Sequence, residues 1–392
     1  VGQAALVSSM LGLYIHIPFC SAICNYCNFN RGLFDAPLKA RYVDALVREI
    51  RASDTPWPGG SGRGRRAEPA DTIYFGGGTP SLLEPGDVAR IIDACAARFD
   101  LSSDREVTLE ANPDSVTRSR LEAFRAAGID RISFGVQSFR DEELRRLSRL
   151  HDAGRAREAY REARLAGFDN VSLDLMMWLP GQRVGEWLAS VDAAIDLGPD
   201  HLSLYMLEVY PNAPLKEEMA RARWSQAPDD DAAVMYLEAM GRLEAAGLRQ
   251  YEISNVARPL KRSRHNLKYW TDGEWLGFGC GAHSTRRGVR WKNVSAVEEY
   301  IDRIGRGESP AIEIHRLSEA EQLGDALFTG LRLTDGIDEA IVGARYGVDL
   351  WKKYGAELEP FLDSGVLTRM DGRLRLTRRG MLVAHEVMQV FV

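Results

Sequence analysis

Nowhere in its 392 residues does this chain carry eighteen consecutive apolar residues, so no membrane-spanning helix is implied. Cysteine is scarce as well. Only five occur, with no apolar signal segment ahead of them, which argues against a disulfide-stapled secreted fold and for a reducing, cytoplasmic setting. An excess of basic charge is also missing. Fifty Lys and Arg against 56 Asp and Glu give a net charge of -6, and the one basic cluster, Arg63, Arg65 and Arg66, lies in a Gly/Pro-rich stretch; neither fits a nucleic-acid binder. The glycine run Gly76-Gly77-Gly78 lacks the Lys-Ser/Thr that completes a phosphate-binding P-loop. What is present is ordinary globular composition, 45% hydrophobic and 27% charged, in a chain too long for one core. Met10 follows Val1 to Ser9, so translation is expected to start at a Val codon or at Met10.

Three of the five cysteines stand together. Cys20, Cys24 and Cys27 have C-x3-C-x2-C spacing just after the apolar run 13–17. Closed zinc sites and most iron-sulfur clusters take four protein ligands, so three on one loop point to a cluster with one open corner, or to zinc completed by His16 or a distant residue. Cys95 and Cys280 stand alone in apolar surroundings and read as small hydrophobes.

Between residues 13 and 209, β-branched runs alternate with amphipathic segments, the signature of β/α units around a parallel sheet. Strands are predicted over 13–17, 72–75, 106–110, 131–135, 171–176 and 201–207, with helices over 39–52, 87–99, 118–127, 141–149, 154–166 and 184–197. Six units fall short of the eight of a closed barrel, so the expected fold is α/β with an open, partial barrel over 13–210, after a tail of residues 1–12. Residues 54–70, rich in Pro, Gly, Ser and Arg, read as a surface excursion. A connecting region, 211–309, holds a helix over 229–246 and a loop-like stretch, 250–284. In 310–392, helices over 319–331, 337–346 and 350–364 precede a hairpin turning at Asp371-Gly372, a winged-helix-like α+β pattern. Residues 311–392 carry a net charge of -3, so a lid or docking role is favoured over DNA binding.

In β/α barrels the active site forms where the strands end. Here the first predicted strand runs into the cysteines, the second into Gly76 to Ser81, the third into Glu110-Ala111-Asn112 and the fourth into Gln137-Ser138, while Asp174 lies within the fifth. Any one of these could be a turn, a cap or a surface ion pair. Together on one rim they suggest a polar ligand beside the metal.

These residues resemble the radical S-adenosylmethionine proteins of the coproporphyrinogen-oxidase-like group. The matching motifs are Tyr14-Ile-His-Ile-Pro-Phe-Cys20, Gly76-Gly-Gly-Thr-Pro80, Glu110-Ala-Asn-Pro113, Gly135-Val-Gln-Ser-Phe139, Arg149-Leu-His151 and Leu179-Pro-Gly-Gln182. The resemblance implies a (β/α)6 partial barrel and a [4Fe-4S] cluster on Cys20, Cys24 and Cys27, with S-adenosylmethionine chelating the fourth iron. It further implies a cofactor pocket lined by Tyr14, Tyr26, Gly77, Gly78, Thr79, Glu110, Gln137, Arg149 and Asp174. Arg149 suits the cofactor carboxylate, Glu110 and Asp174 its ribose or ammonium, and Tyr26 its adenine.

Within the group the chain is similar to the heme-chaperone branch. His265-Asn266-Leu267-Lys268-Tyr269-Trp270 matches that branch's H-N-x-x-Y-W motif, which implies heme binding by His265, Tyr269 and Trp270, His265 being suited to axial ligation. The oxidases carry a further Cys where this chain has Phe29, and an extension ahead of the first strand. Trp178 stands where the group has Gly, and its bulk is expected to narrow the pocket or change what fits there. The expected partners are heme, apo-hemoproteins of respiration and an electron donor for the cluster, with no nucleic acid. Respiratory recipients would bring the protein to a membrane surface, although no basic amphipathic helix marks one. The alternatives are oxidative decarboxylation of coproporphyrinogen III and another radical activity such as methyl transfer.

Overall fold

In the computed structural model, residues 10–53 and 67–392 are described. Residues 1–9 and the basic cluster Arg63, Arg65 and Arg66 lie outside them. Six parallel strands form the heart of the sheet: β1 (Leu11–Ile17), β2 (Glu68–Gly77), β3 (Phe99–Ala111), β4 (Arg131–Gln137), β5 (Val171–Met177) and β6 (His201–Met206). Helices α1 (Ala36–Ala52), α2 (Pro85–Arg98), α3 (Arg118–Ala126), α4 (Asp141–Arg146), α5 (Ala153–Leu165) and α6 (Val184–Leu197) fall between them. Helix α1 shows why these segments fold locally. Asp35 caps it by accepting from the Leu38 N–H at 2.7 Å, and Tyr42, Val43, Leu46, Val47 and Ile50 form its buried stripe.

The sheet extends beyond the six predicted strands on both sides. After helices α7 (Pro214–Ala222) and α8 (Asp229–Ala245), β7 (Arg249–Glu252) and β8 (Asn255–Ala257) form a hairpin that adds antiparallel to β6. Helix α9 (Arg264–Trp270) follows, and β9 (Trp275–Phe278) then pairs parallel with the free edge of β1. The antiparallel strands β10 (His283–Arg286), β11 (Val289–Asn293) and β12 (Ala311–Arg316) continue from β9 to the other edge, with α10 (Val297–Gly305) between the last two. The stretch 250–284 is therefore not a loop. Its strands are three or four residues long, too short to show periodicity. Likewise β2 begins at Glu68, inside the expected excursion, because Glu68 and Pro69 pair with Phe99 and Asp100 on a lengthened β3. With β12 and β7 as its edges the sheet stays open.

Helices α11 (Glu319–Gly330), α12 (Glu339–Tyr346) and α13 (Leu350–Asp363) precede the hairpin β13 (Leu367–Met370) and β14 (Arg373–Leu376). The hairpin turns where expected, with Asp371 and Gly372 at φ of +54° and +70°, the pair of left-handed residues that a two-residue turn demands. Ile337-Asp338 is not helical. It pairs with Leu374 and Arg373 as a third strand.

Candidate functional site

Strand register builds the site. Glu110 pairs with Ser133, Gly135 with Asp174, and Asp174 with Ser203, so alternate residues of successive strands bring polar groups into the barrel interior. Above them, at the C-terminal strand ends, a cavity of about 400 Å³ is lined by Cys20, Cys24, Cys27, Tyr26, Gly77, Gly78, Thr79, Glu110, Gln137, Arg149 and Asp174. Of the residues expected there, Tyr14 alone does not line it. Its side chain lies in the barrel interior, where the hydroxyl meets His16 Nδ1 at 3.2 Å.

The walls are tied to the thiols by a chain of polar contacts. Thr79 Oγ1 donates to Cys20 Sγ at 3.6 Å and accepts from Asn112 Nδ2 at 3.2 Å. Asn112 Oδ1 accepts from Arg149 Nη2 at 2.7 Å, and Arg149 Nη1 reaches Cys24 Sγ at 3.4 Å. Gly78 has no room for a side chain: a Cβ there would stand 2.8 Å from the Phe19 carbonyl and 3.0 Å from Cys20 Sγ. Gln137 has φ of +67°, a left-handed strain of the sort stored at functional sites. Its Oε1 and Arg149 Nε are buried without a hydrogen-bond partner.

Burial sets the electrostatics. Glu110 accepts from the Tyr74 hydroxyl at 2.7 Å and the Gly77 N–H at 3.2 Å, yet loss of solvent pushes its carboxyl up to about 7. Asp174 is raised to about 6, again mainly by burial, with Ser133 donating to it at 3.2 Å. Among the described residues no three His, Cys, Asp or Glu side chains converge on a single metal-ion position.

The H-N-x-x-Y-W segment lies at the other end of the barrel. Helix α9 plugs the floor, its first turn presenting the Arg264 and His265 N–H groups to the Glu106 carboxylate, both at 3.2 Å. The His265 ring is 1% exposed and lies against Tyr74 at 5.1 Å. Its Nδ1 pairs with Thr72 Oγ1 at 2.8 Å and its Nε2 with the Tyr269 hydroxyl at 2.9 Å. Burial first, then Lys268 and Arg131, hold its pKa down at about 3. Both ring nitrogens are therefore engaged within the barrel floor. Trp270 faces elsewhere, with the Arg332 guanidinium 4.3 Å from its ring.

Comparison with known proteins settles the family. The radical SAM superfamily model matches residues 14–194, and the HemN C-terminal domain model matches residues 317–383. The heme chaperone HemW of Bacillus subtilis is 35% identical over 386 residues, covering 98% of this chain and 99% of that one. The chain belongs to the HemW family. The HemW of Mycobacterium tuberculosis is 36% identical over 401 residues, covering 100% of this chain and 97% of its own. In fold, the HemW-family chain is similar to the solved coproporphyrinogen III oxidase HemN of Escherichia coli, with a TM-score of 0.83 at 22% identity, covering 99% of this chain and 91% of that one.

Two features of this HemW-family chain depart from the reading of its residues. Trp178 does not line the cavity: its indole donates to the Ala227 carbonyl at 2.7 Å, and its φ of +62° explains why glycine suits the position. Conversely, Ser133 and Tyr205 join the cavity wall without having been assigned there, beside Asn112 of the expected rim. Tyr205 stands near a strand end, a signal that could have found it. Ser133 is legible only from the register that sets it beside Glu110.

Proposed function

We propose that this chain is a heme chaperone that carries a [4Fe-4S] cluster on Cys20, Cys24 and Cys27, binds S-adenosylmethionine in the same cavity, and passes heme to apo-hemoproteins of respiration. The observation that carries this reading is the match to proteins named heme chaperone HemW over essentially the full length of both chains. Donor chemistry supports the cluster. Three free thiols open on one cavity but do not converge as a single-ion site would, and a cluster with one open corner needs just such a set. The cavity also fits a zwitterionic cofactor. Arg149 can take a carboxylate, Glu110 and Asp174 an ammonium or ribose hydroxyls, and Gly77 and Gly78, without side chains, allow a ligand to approach closely. When bound, cluster and cofactor supply reductive chemistry at the sulfonium. An electron donor and a reducing, cytoplasmic setting belong to this reading. Phe29 at the position of the oxidases' extra Cys weighs against porphyrinogen decarboxylation.

Anaerobic reconstitution of the wild-type protein and Cys24→Ala, followed by heme titration, tests it. The wild-type protein is expected to hold iron and sulfide and to bind one heme, while Cys24→Ala loses the cluster. Unchanged iron and sulfide in Cys24→Ala would remove the ligand assignment, and conversion of coproporphyrinogen III to protoporphyrinogen IX with cofactor and reductant would replace chaperone by oxidase.

A further inference from the structure

The turn 279–281, between β9 and β10, lies outside the cofactor cavity yet is bonded to the far arm of the cysteine loop. Asn30, three positions after Cys27, makes the contact: its Nδ2 donates to the Cys280 carbonyl at 3.2 Å and to the Ser295 carbonyl at 3.1 Å. Both amide hydrogens are thereby used. The Asn30 carbonyl in turn accepts from His16 Nε2 at 2.8 Å, which leaves His16 Nδ1 to accept from the Tyr14 hydroxyl. His16 pairs with Gly76 on β2, and a Cβ on Gly77 would stand 2.7 Å from its ring. The His16 carbonyl accepts from the Tyr42 hydroxyl at 2.7 Å, and that hydroxyl accepts from the Cys280 N–H at 3.1 Å. Asn30 thus joins the cysteine loop to β1, to the glycine run and to the turn.

The turn itself has no slack. Gly279 and Gly281 sit at φ of +96° and +70°, and a side chain on either would overlap the Tyr42 hydroxyl or the Asn30 amide. Glu49 of α1 accepts from the Gly279 N–H and, with its other oxygen, from Asn293 Nδ2, both at 2.7 Å, and Tyr300 of α10 donates to it at 2.6 Å. The cysteine loop, by contrast, buries little of its own: Ile23 and Phe29 are 43% and 65% exposed, so packing does little to hold it.

We infer that Asn30 is a positioning residue for the cluster, the contact through which the turn 279–281 fixes the Cys27 arm of the loop. The inference rests on the proposed [4Fe-4S] cluster at Cys20, Cys24 and Cys27 and names what holds that loop in place. Asn30 acts through the short backbone link to Cys27 and not on the iron. Two substitutions disturb the contact in different ways. Asn30→Asp sets an acceptor-only carboxylate against two carbonyl oxygens, whereas Gly281→Ala keeps the amide and pushes it off its acceptors.

The reconstituted full-length protein is compared with Asn30→Asp, Gly281→Ala and Asp71→Ala for iron and sulfide content, for the anaerobic rate of iron removal by a chelator, and for the electron paramagnetic resonance signal of the reduced cluster. Asp71→Ala breaks the buried ion pair with Lys268 at the opposite end of the barrel and serves as the control for lost stability alone. Wild type and Asp71→Ala should share one signal and one rate. Asn30→Asp and Gly281→Ala should release iron roughly tenfold faster, as loss of a hydrogen bond or two allows, and show an altered signal, while melting no lower than Asp71→Ala. Wild-type rate and signal in either loop variant, or an equal change in Asp71→Ala, overturns the inference and leaves the cluster reading standing. If the wild-type protein itself takes up no cluster, that reading fails, and this inference with it.

Discussion

Trp178 stands at a strand end near the cysteines, where the resemblance implies Gly, and steric reasoning alone puts the indole in the pocket. It turns instead to the Ala227 carbonyl, and the feature that glycine serves is the backbone, held at φ of +62° at a cost of roughly 1–2 kcal/mol to an L-residue. Trp178→Gly is therefore expected to leave S-adenosylmethionine affinity within about twofold of wild type; a tenfold change in equilibrium binding would return the side chain to the pocket. The cysteines and Glu110 were legible because strand-end position and chemistry agree, and Asp174 because a carboxylate stands out within a strand, whereas Arg149, between α4 and α5, rested on the Arg149-Leu-His151 motif. Tyr14 was not legible, since an inward-facing strand residue can lie below a cavity as readily as on its wall.

At the scale of elements, α9 carries most of what the sequence hid. A seven-residue helix between strands of three and four residues leaves no period to detect, and its partners are far away in sequence. It is locked to β2 by Lys268 Nζ and Asp71 Oδ1 at 2.6 Å, both side chains about 5–6% exposed. Breaking such a pair strands a buried charge, so Asp71→Ala is expected to cost roughly 3–5 kcal/mol in denaturant unfolding; a loss below 1 kcal/mol would mean that the floor relaxes. The His265 ring adds a pH dependence. With its folded pKa lowered to about 3 from an ordinary 6.5, the unfolded chain takes up the proton first, so stability falls as pH drops below about 6.5 toward 3. At pH 5 the deficit from this group is about 2 kcal/mol. His265→Asn should be less stable than wild type at pH 7 but lose correspondingly less between pH 7 and 5. Parallel losses in the two proteins would show that the ring is not held neutral.

For the whole molecule, the two ends of one sheet do different work. The C-terminal strand ends gather thiols, carboxylates and Arg149 around one cavity, and the order of β/α units made that end readable. The N-terminal ends are closed by α9, beyond which the C-terminal unit completes a second cavity, and this could not be read, because β7 to β12 extend the sheet through pairings that no local pattern announces. The most direct test of the chaperone account is transfer: hemin-loaded protein is mixed with an apo form of a respiratory b-type hemoprotein, and the acceptor's absorbance is followed against an equal amount of free hemin. Faster and more complete filling of the acceptor from the loaded chain is the expected result. Filling no faster than from free hemin would contradict the account.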